Sequence, residues 1–91
     1  MPHSLSAKKR TRQNLRRRQH NRTTKSRIRT AHKRFLDAVD AKDVSTARDR
    51  FCVVERLLHR AANNGPIHRN AAARHISRMQ KRLAEAEAAS A

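Results

Sequence analysis

The sequence predicts an all-α protein, a three-helix bundle with a long first helix whose basic N-terminal half projects beyond the bundle. Apolar residues recur at steps of three and four in three separate segments, as on the buried face of a helix, and no segment alternates as a β-strand does. Turn-forming residues separate the second segment from the third. A chain of 91 residues allows one small domain with a thin core, because such a domain removes only about 60 % of its unfolded surface from water.

The first helix is predicted to begin near Ser6 and to continue to about Asp40, because no Gly or Pro interrupts this stretch. Its apolar face is confined to the second half and consists of Ile28, Ala31, Phe35, Leu36 and Val39. The two later helices are too short to cover a helix of about 35 residues, so its first half must extend beyond them. We therefore divide the single domain, residues 1–91, into a basic helical arm, residues 1–30, and a helical bundle, residues 31–91.

The second helix is predicted to follow a short connection around Asp40 to Val44, with Asp43 or Ser45 as its N-cap. Its apolar face consists of Ala47, Phe51, Val54, Leu57, Leu58 and Ala61. The run Asn63-Asn64-Gly65-Pro66 is predicted to end the helix, because it supplies left-handed and proline geometry.

The third helix is predicted from an apolar face made of Ala72, Ile76, Met79, Leu83 and Ala86. Asn70 is the candidate N-cap of this helix, since its side-chain oxygen can accept a hydrogen bond from the first turn. Short connections favour antiparallel neighbours. We therefore expect the three apolar faces to enclose one core.

The single cysteine, Cys52, cannot form an intrachain disulfide and is interpreted as a small buried apolar residue. No apolar run approaches the ~18 residues of a membrane span, so no membrane association is expected. The stretch Met1 to Ser6 is too short and too polar to begin a secretory signal. These features together favour a soluble, cytoplasmic protein.

Positive charge dominates the composition, with 23 Lys and Arg against seven Asp and Glu and a formal net charge of +16. Every acidic residue lies at Asp37 or beyond, so the first 36 residues carry only positive charge. Like charges four residues apart, as at Arg12 and Arg16, destabilise an isolated helix by roughly 0.2 to 0.5 kcal/mol a pair. The arm is therefore expected to become ordered against a polyanion.

The arrangement of the basic residues favours folded RNA as the polyanion. Between Lys8 and Arg29 the cations fall at every azimuth of the helix, which suits insertion between several phosphate backbones. Both aromatic residues, Phe35 and Phe51, lie on apolar faces, so no stacking platform for single-stranded bases is predicted. A basic leucine zipper is excluded, because Asp43 stands seven residues after Leu36. A histone-like DNA-compacting protein remains the alternative, because phosphate contacts do not distinguish DNA from RNA.

No catalytic or metal-binding pattern is found, and we predict neither enzymatic activity nor a cofactor. The six histidines are scattered, Cys52 has no Cys-x-x-Cys partner, and acidic residues do not form a pair suited to general acid-base catalysis. His68 and His75 can share one helix face, but Arg69, Arg74 and Arg78 surround them. Contacts with phosphate or bases are the better interpretation of that group.

The run IHRNAAARH, residues 67–75, together with SAKKR at 6–10, RRRQHN at 16–21 and the Arg29-Thr30 pair, resembles the bacterial small-subunit ribosomal protein twenty family. The resemblance covers nearly the whole chain. Two positions depart from the family's usual pattern: Ala71 stands where a lysine is common, and Pro66 replaces a more usual apolar residue.

The resemblance implies a structural protein of the small ribosomal subunit that binds ribosomal RNA directly and stabilises its fold during assembly. It implies contacts with the five-prime domain and with the long penultimate stem, and few protein contacts; no homo-oligomer is expected. Carried over by position, the expected RNA contacts are Lys8, Lys9, Arg10, Arg17, His20, Asn21, Arg29, His68, Arg69, Asn70, Arg74 and His75. Further contacts predicted in the same two segments are Arg12, Arg16, Arg18, Arg22, Lys25, Arg27, Thr30, Lys33 and Arg78.

Overall fold

A computed structural model describes residues 5–90, and within that range it contains three α-helices and no β-strand. Helix α1 spans Leu5–Asp40, α2 spans Val44–Asn64 and α3 spans Arg69–Ser90. The predicted all-α fold with a long first helix is confirmed. The first four residues of the predicted arm lie outside the described range, and α1 already includes Leu5, one residue before its predicted start.

The connection between α1 and α2 is a tight turn closed by an N-cap. The backbone N–H of Thr46 donates to Asp43 Oδ1 at 3.2 Å, and the Thr46 hydroxyl donates to Asp43 Oδ2 at 2.7 Å. The hydroxyl donor, followed by the backbone donor, lowers the pKa of the Asp43 carboxyl. Of the two candidate caps, Asp43 therefore holds the position and Ser45 lies inside the helix.

The connection between α2 and α3 depends on one left-handed residue. Gly65 has φ +99°, and its N–H donates to the carbonyl of Ala61 at 3.0 Å, which ends α2 as predicted. The predicted N-cap of α3 is wrong: α3 begins at Arg69, so Asn70 lies inside its first turn. The Asn70 N–H instead donates to His68 Nδ1 at 3.1 Å. The imidazole of His68 therefore caps the N-terminus of α3, the role that we predicted for Asn70.

The core lies between the second half of α1 and the whole lengths of α2 and α3. Its buried members come from all three predicted apolar faces, with Ala38 as an addition: Phe35, Ala38, Ala47, Val54, Leu58, Ala61, Ala72 and Met79. The ring centroids of Phe35 and Phe51 lie 6.1 Å apart. Helix α2 packs against both other helices, whereas α1 and α3 touch each other sparingly.

Cys52 is exposed, so its interpretation as a buried apolar residue is wrong. Phe51 and Val54 face the core from α2. A residue next to Phe51 points roughly 100° away from it on a helix, which directs the thiol out of the bundle.

The first part of α1 extends beyond the other two helices. The turn at the end of α2 lies beside His20 and Thr24, where these residues and Asn64 line one surface depression. Residues 8–20 of α1 are exposed without exception, and the molecule measures 65 × 22 × 16 Å along its principal axes. We call residues 5–20 the projecting rod. The division of the domain at residue 30 stays a prediction.

Candidate nucleic-acid interface

The projecting rod presents cations in all directions. Its basic residues are Lys8, Lys9, Arg10, Arg12, Arg16, Arg17 and Arg18, and all of them are exposed. Leu15 is 58 % exposed and Leu5 is 85 % exposed, so the rod has no apolar seam against which another part of this chain packs. Such a surface binds polyanions through charge and shape.

A shallow groove follows one face of α1 from the rod into the bundle. It is lined by two amides and four cations: Asn14, Arg17, Arg18, Asn21, Arg22 and Lys25. The amide side chains supply directional donors and acceptors between the charges. Asn14 was missed in the sequence because it belongs to no basic cluster; its place four residues before Arg18 on the helix was the available signal.

Thr30 lies on α1 with its hydroxyl already engaged. Its Oγ1 donates to the carbonyl of Ser26 at 3.0 Å, as Thr23 Oγ1 does to the carbonyl of Gln19. In this rotamer the hydroxyl has no hydrogen left to donate to a phosphate. A phosphate contact from Thr30 would require a different side-chain rotamer.

The second predicted segment forms an exposed basic surface on the first half of α3. Its members are His68, Arg69, Asn70, Arg74, His75 and Arg78. A small depression beside Ala71 is lined by Arg74, His75 and Arg78. Because His68 Nδ1 accepts the Asn70 N–H, the neutral ring carries its proton on Nε2. The capping bond therefore leaves an Nε2–H donor for a phosphate or base oxygen.

The fold brings part of the first segment together with the second. Lys25 and Arg29 of α1 line the same cleft as His75 of α3. Because an α-helix rises 1.5 Å per residue, Lys8 lies about 25 Å from Lys25 along α1. The candidate interface is therefore one long surface that extends from the rod to the region around this cleft.

Two residues of α2 extend the interface and were not predicted. Arg60 and Asn64 share a depression with His20 and Arg27 of α1. In the sequence, α2 was identified from its apolar face. The role of the polar residues near its end became clear only from the packed bundle, which places them beside α1.

Acidic side chains collect at the other end of the molecule. They lie at the end of α1, the beginning of α2 and the end of α3: Asp37, Asp40, Asp43, Asp49, Glu85 and Glu87. Arg48 Nε and Glu87 Oε1 form an ion pair at 2.8 Å, which joins the start of α2 to the end of α3. The rod and the acidic end thus occupy opposite ends of the long axis.

His32 lies in the cleft region and has an altered affinity for protons. Its pKa lies below the ordinary value of 6.5, chiefly because the ring is partly buried, and also because of the positive charges of His75 and Arg82. Its ring lies 6.5 Å from that of Phe35. At neutral pH the ring is therefore uncharged and offers one donor and one acceptor.

Neither a metal site nor a membrane span is seen in residues 5–90. No three metal-binding side chains of His, Cys, Asp or Glu come together there. None of the three helices has both the length and the apolar character that crossing a bilayer requires.

Known proteins resemble this chain over almost its full length. The family model described as Ribosomal protein S20 matches residues 2–84. The small ribosomal subunit protein bS20 of Rhodopirellula baltica is 45 % identical over 86 residues, covering 94 % of this chain and 96 % of the relative. The protein of that name from Persephonella marina is 44 % identical over 88 residues, covering 97 % and 96 %. That from Stutzerimonas stutzeri is 45 % identical over 92 residues, covering 98 % and 100 %.

Proposed function

The chain belongs to the ribosomal protein S20 family, and from this membership we propose that it binds small-subunit ribosomal RNA directly and stabilises the RNA fold during assembly. The family consists of structural proteins, which confirms the prediction that the chain is not an enzyme. Bacterial proteins of this kind are components of the cytoplasmic ribosome, and we assign the chain to the same location.

The observation that carries the proposal is the projecting rod. Seven exposed cations lie on residues 8–18 of α1, a segment that contains no acidic residue. Each phosphate neutralised by such a side chain releases counterions, which provides much of the free energy of binding at moderate salt. Insertion among RNA backbones is therefore the arrangement in which this part of α1 is most stable.

We further propose that the protein joins two regions of the RNA, the five-prime domain and the long penultimate stem. The far end of the rod, at Lys8, lies about 25 Å along α1 from Lys25, and Lys25 lines the same cleft as His75 of α3. The two ends of the interface can therefore contact different segments of a folded RNA. Two RNA segments can thus be held at a fixed spacing by one rigid helix.

Crosslinking in cells, followed by sequencing of the bound nucleic acid, tests the proposal. We expect small-subunit ribosomal RNA, with crosslinks concentrated in the two named regions. A diffuse distribution over chromosomal DNA would instead support the histone-like alternative and overturn the proposed function. Crosslinks confined to one RNA region would support RNA binding but contradict the proposal that the protein joins two regions.

A further inference from the structure

A cleft opens on the face of the bundle where α1 and α3 diverge. Its volume is about 350 Å³, at the low end of pockets that hold small ligands. Val54 and Leu58 of α2 and Met79 of α3 form its floor and are only 1 to 3 % exposed. The apolar surface that a ligand can reach belongs mainly to Ile28 of α1 and Ile67 before α3, which are half-buried. The cleft is therefore open to solvent above an apolar floor.

The rim of the same cleft carries two cations and a histidine. Lys25 and Arg29 lie on its α1 side, and His75 lies on its α3 side; all three side chains are exposed. His32 also lines the cleft and is partly buried. An apolar floor edged by cations matches a ligand that is flat and weakly polar at one end and anionic on both flanks.

From this combination we infer that the cleft holds one nucleobase turned out of the bound RNA, with its flanking phosphates on Lys25 and Arg29. A phosphate lying across the rim would leave the apolar floor uncovered. An apolar side chain from a partner protein would cover the floor but would gain nothing from the cations. A nucleotide satisfies both parts, and RNA-binding proteins commonly read unstacked bases against aromatic rings, including histidine.

His32 gives the cleft a means of recognising the base. The uncharged ring can donate one hydrogen bond and accept another, so it can pair with the polar edge of a base inside an apolar surround. From the positions of Phe35 and Phe51 we expected no stacking platform for RNA bases. No Phe provides one, but the fold brings the imidazole rings of His32 and His75 to the same cleft. The inference rests on the proposed RNA-binding function and specifies one nucleotide contact within it.

The chain contains two methionines, Met1 and Met79, which allows a direct test. Photo-methionine, a diazirine analogue, replaces both residues and on illumination loses N₂ to form a carbene that inserts into a neighbouring bond. The full-length chain is bound to a transcript of small-subunit ribosomal RNA, illuminated and digested. We expect a crosslink from position 79 to the base of a single nucleotide.

Two control variants assign that crosslink. Met79→Leu removes the probe from the cleft and retains the one at Met1, so the base crosslink must be lost. Ala89→Met in the Met79→Leu chain moves the probe to a second cleft, between Val39 and Ala86 near the acidic end. No base crosslink is expected there. A similar base crosslink from position 89 would overturn the assignment.

The outcomes separate the inference from the function on which it rests. If the chain does not retain the transcript in a filter-binding assay, direct RNA binding fails. If the transcript is bound but position 79 crosslinks to no RNA, or only to sugar and phosphate, RNA binding stands and the base-binding cleft is disproved. If photo-methionine in intact small subunits crosslinks from position 79 to a different protein chain, an apolar side chain of that protein occupies the cleft and the inference is overturned.

Discussion

The two halves of α1 are continuous in backbone but differ in what surrounds them. In the second half, Phe35 is 0 % exposed and Ala38 is 7 % exposed, and both pack against the other helices. In the first half, Leu15 is 58 % exposed and every charged side chain is basic. The bundle half is stabilised by apolar burial within the chain, whereas we expect the rod to depend on an external anion for its stability. One helix can therefore combine a folding role and a binding role.

Removing a core ring should damage the bundle most strongly. Phe35→Ala deletes the largest fully buried side chain and leaves a cavity in a thin core. We expect the free energy of unfolding to fall by about 3 to 5 kcal/mol, measured by urea denaturation of the free protein. Leu15→Ala is the matched control in the rod. A loss of stability from Leu15→Ala equal to that from Phe35→Ala would break the distinction between the two halves.

Amide hydrogen exchange should show the same difference without mutation. In the RNA-free protein at moderate ionic strength, we expect amides of residues 8–18 to exchange at least about a hundredfold faster than those around Phe35, because local opening of the rod exposes no core. Binding of ribosomal RNA should slow exchange in the rod. Equal protection of both halves in the free protein would show that the rod is stable without an anion.

Removing two cations from the rod should affect binding and spare the bundle. Arg17→Ala with Arg18→Ala should weaken RNA binding about tenfold or more and reduce the slope of log affinity against log salt by about two. The free energy of unfolding should change by no more than roughly 0.5 kcal/mol. Arg50→Ala with Arg56→Ala, on the exposed side of α2, removes the same charge elsewhere. Equal effects of the two pairs on affinity would mean that net charge, and not the rod, determines binding.

Gly65→Ala tests the turn that places α3 beside α2. A Cβ at this position would meet no atom within 4 Å, so the cost should come from the left-handed backbone, φ +99°. We expect a loss of about 1 kcal/mol in the free energy of unfolding, measured by thermal melting. Gly65→Asn should lose less, because Asn tolerates this conformation better. If Gly65→Ala leaves the free energy of unfolding unchanged, the turn adopts another geometry in solution.

The smallest predicted effect is the pH dependence due to His32. Partial burial, followed by the charges of His75 and Arg82, lowers its pKa, so the unfolded chain binds a proton more readily than the folded one. The contribution of His32 to stability is therefore complete above pH 6.5 and is lost as the pH falls through the folded-state pKa.

Urea denaturation from pH 7.5 down to pH 5 gives the measurement, and His32→Leu should reduce the dependence of stability on pH. The same substitution at His59, exposed on α2, is the control. An unchanged pH dependence in His32→Leu would show that His32 does not titrate as described. Because bound phosphates favour the imidazolium, RNA binding should raise the pKa of His32, which nuclear magnetic resonance titration can follow.

The sequence predicts local features well and contacts between helices poorly. Apolar periodicity identified the buried faces, and Asp43 and Gly65 marked the two turns, because these signals lie within a few residues of the structures they produce. Asn70 was misassigned because a histidine ring can accept the hydrogen bond expected of an Asx cap. Cys52 was misassigned because residue type was given more weight than its direction on the helix.

The candidate interface divides in the same way. The cations of the rod could be read from composition, and where each RNA contact lies stays a prediction. The cleft could not be read in this manner, because His32 and His75 are 43 positions apart and meet only through the packing of α1 and α3 on α2. The same is true of Arg60 and Asn64 beside His20. Such groupings depend on topology, which periodicity alone does not specify.

Six of the seven acidic side chains lie at the end of the 65 Å molecule opposite to the rod, which weights the net positive charge toward the rod. Near the RNA that we propose as the ligand, this asymmetry should exert a torque that turns the rod forward before contact. Encounters are thus pre-aligned, and the association rate should exceed that of a protein with the same net charge distributed evenly.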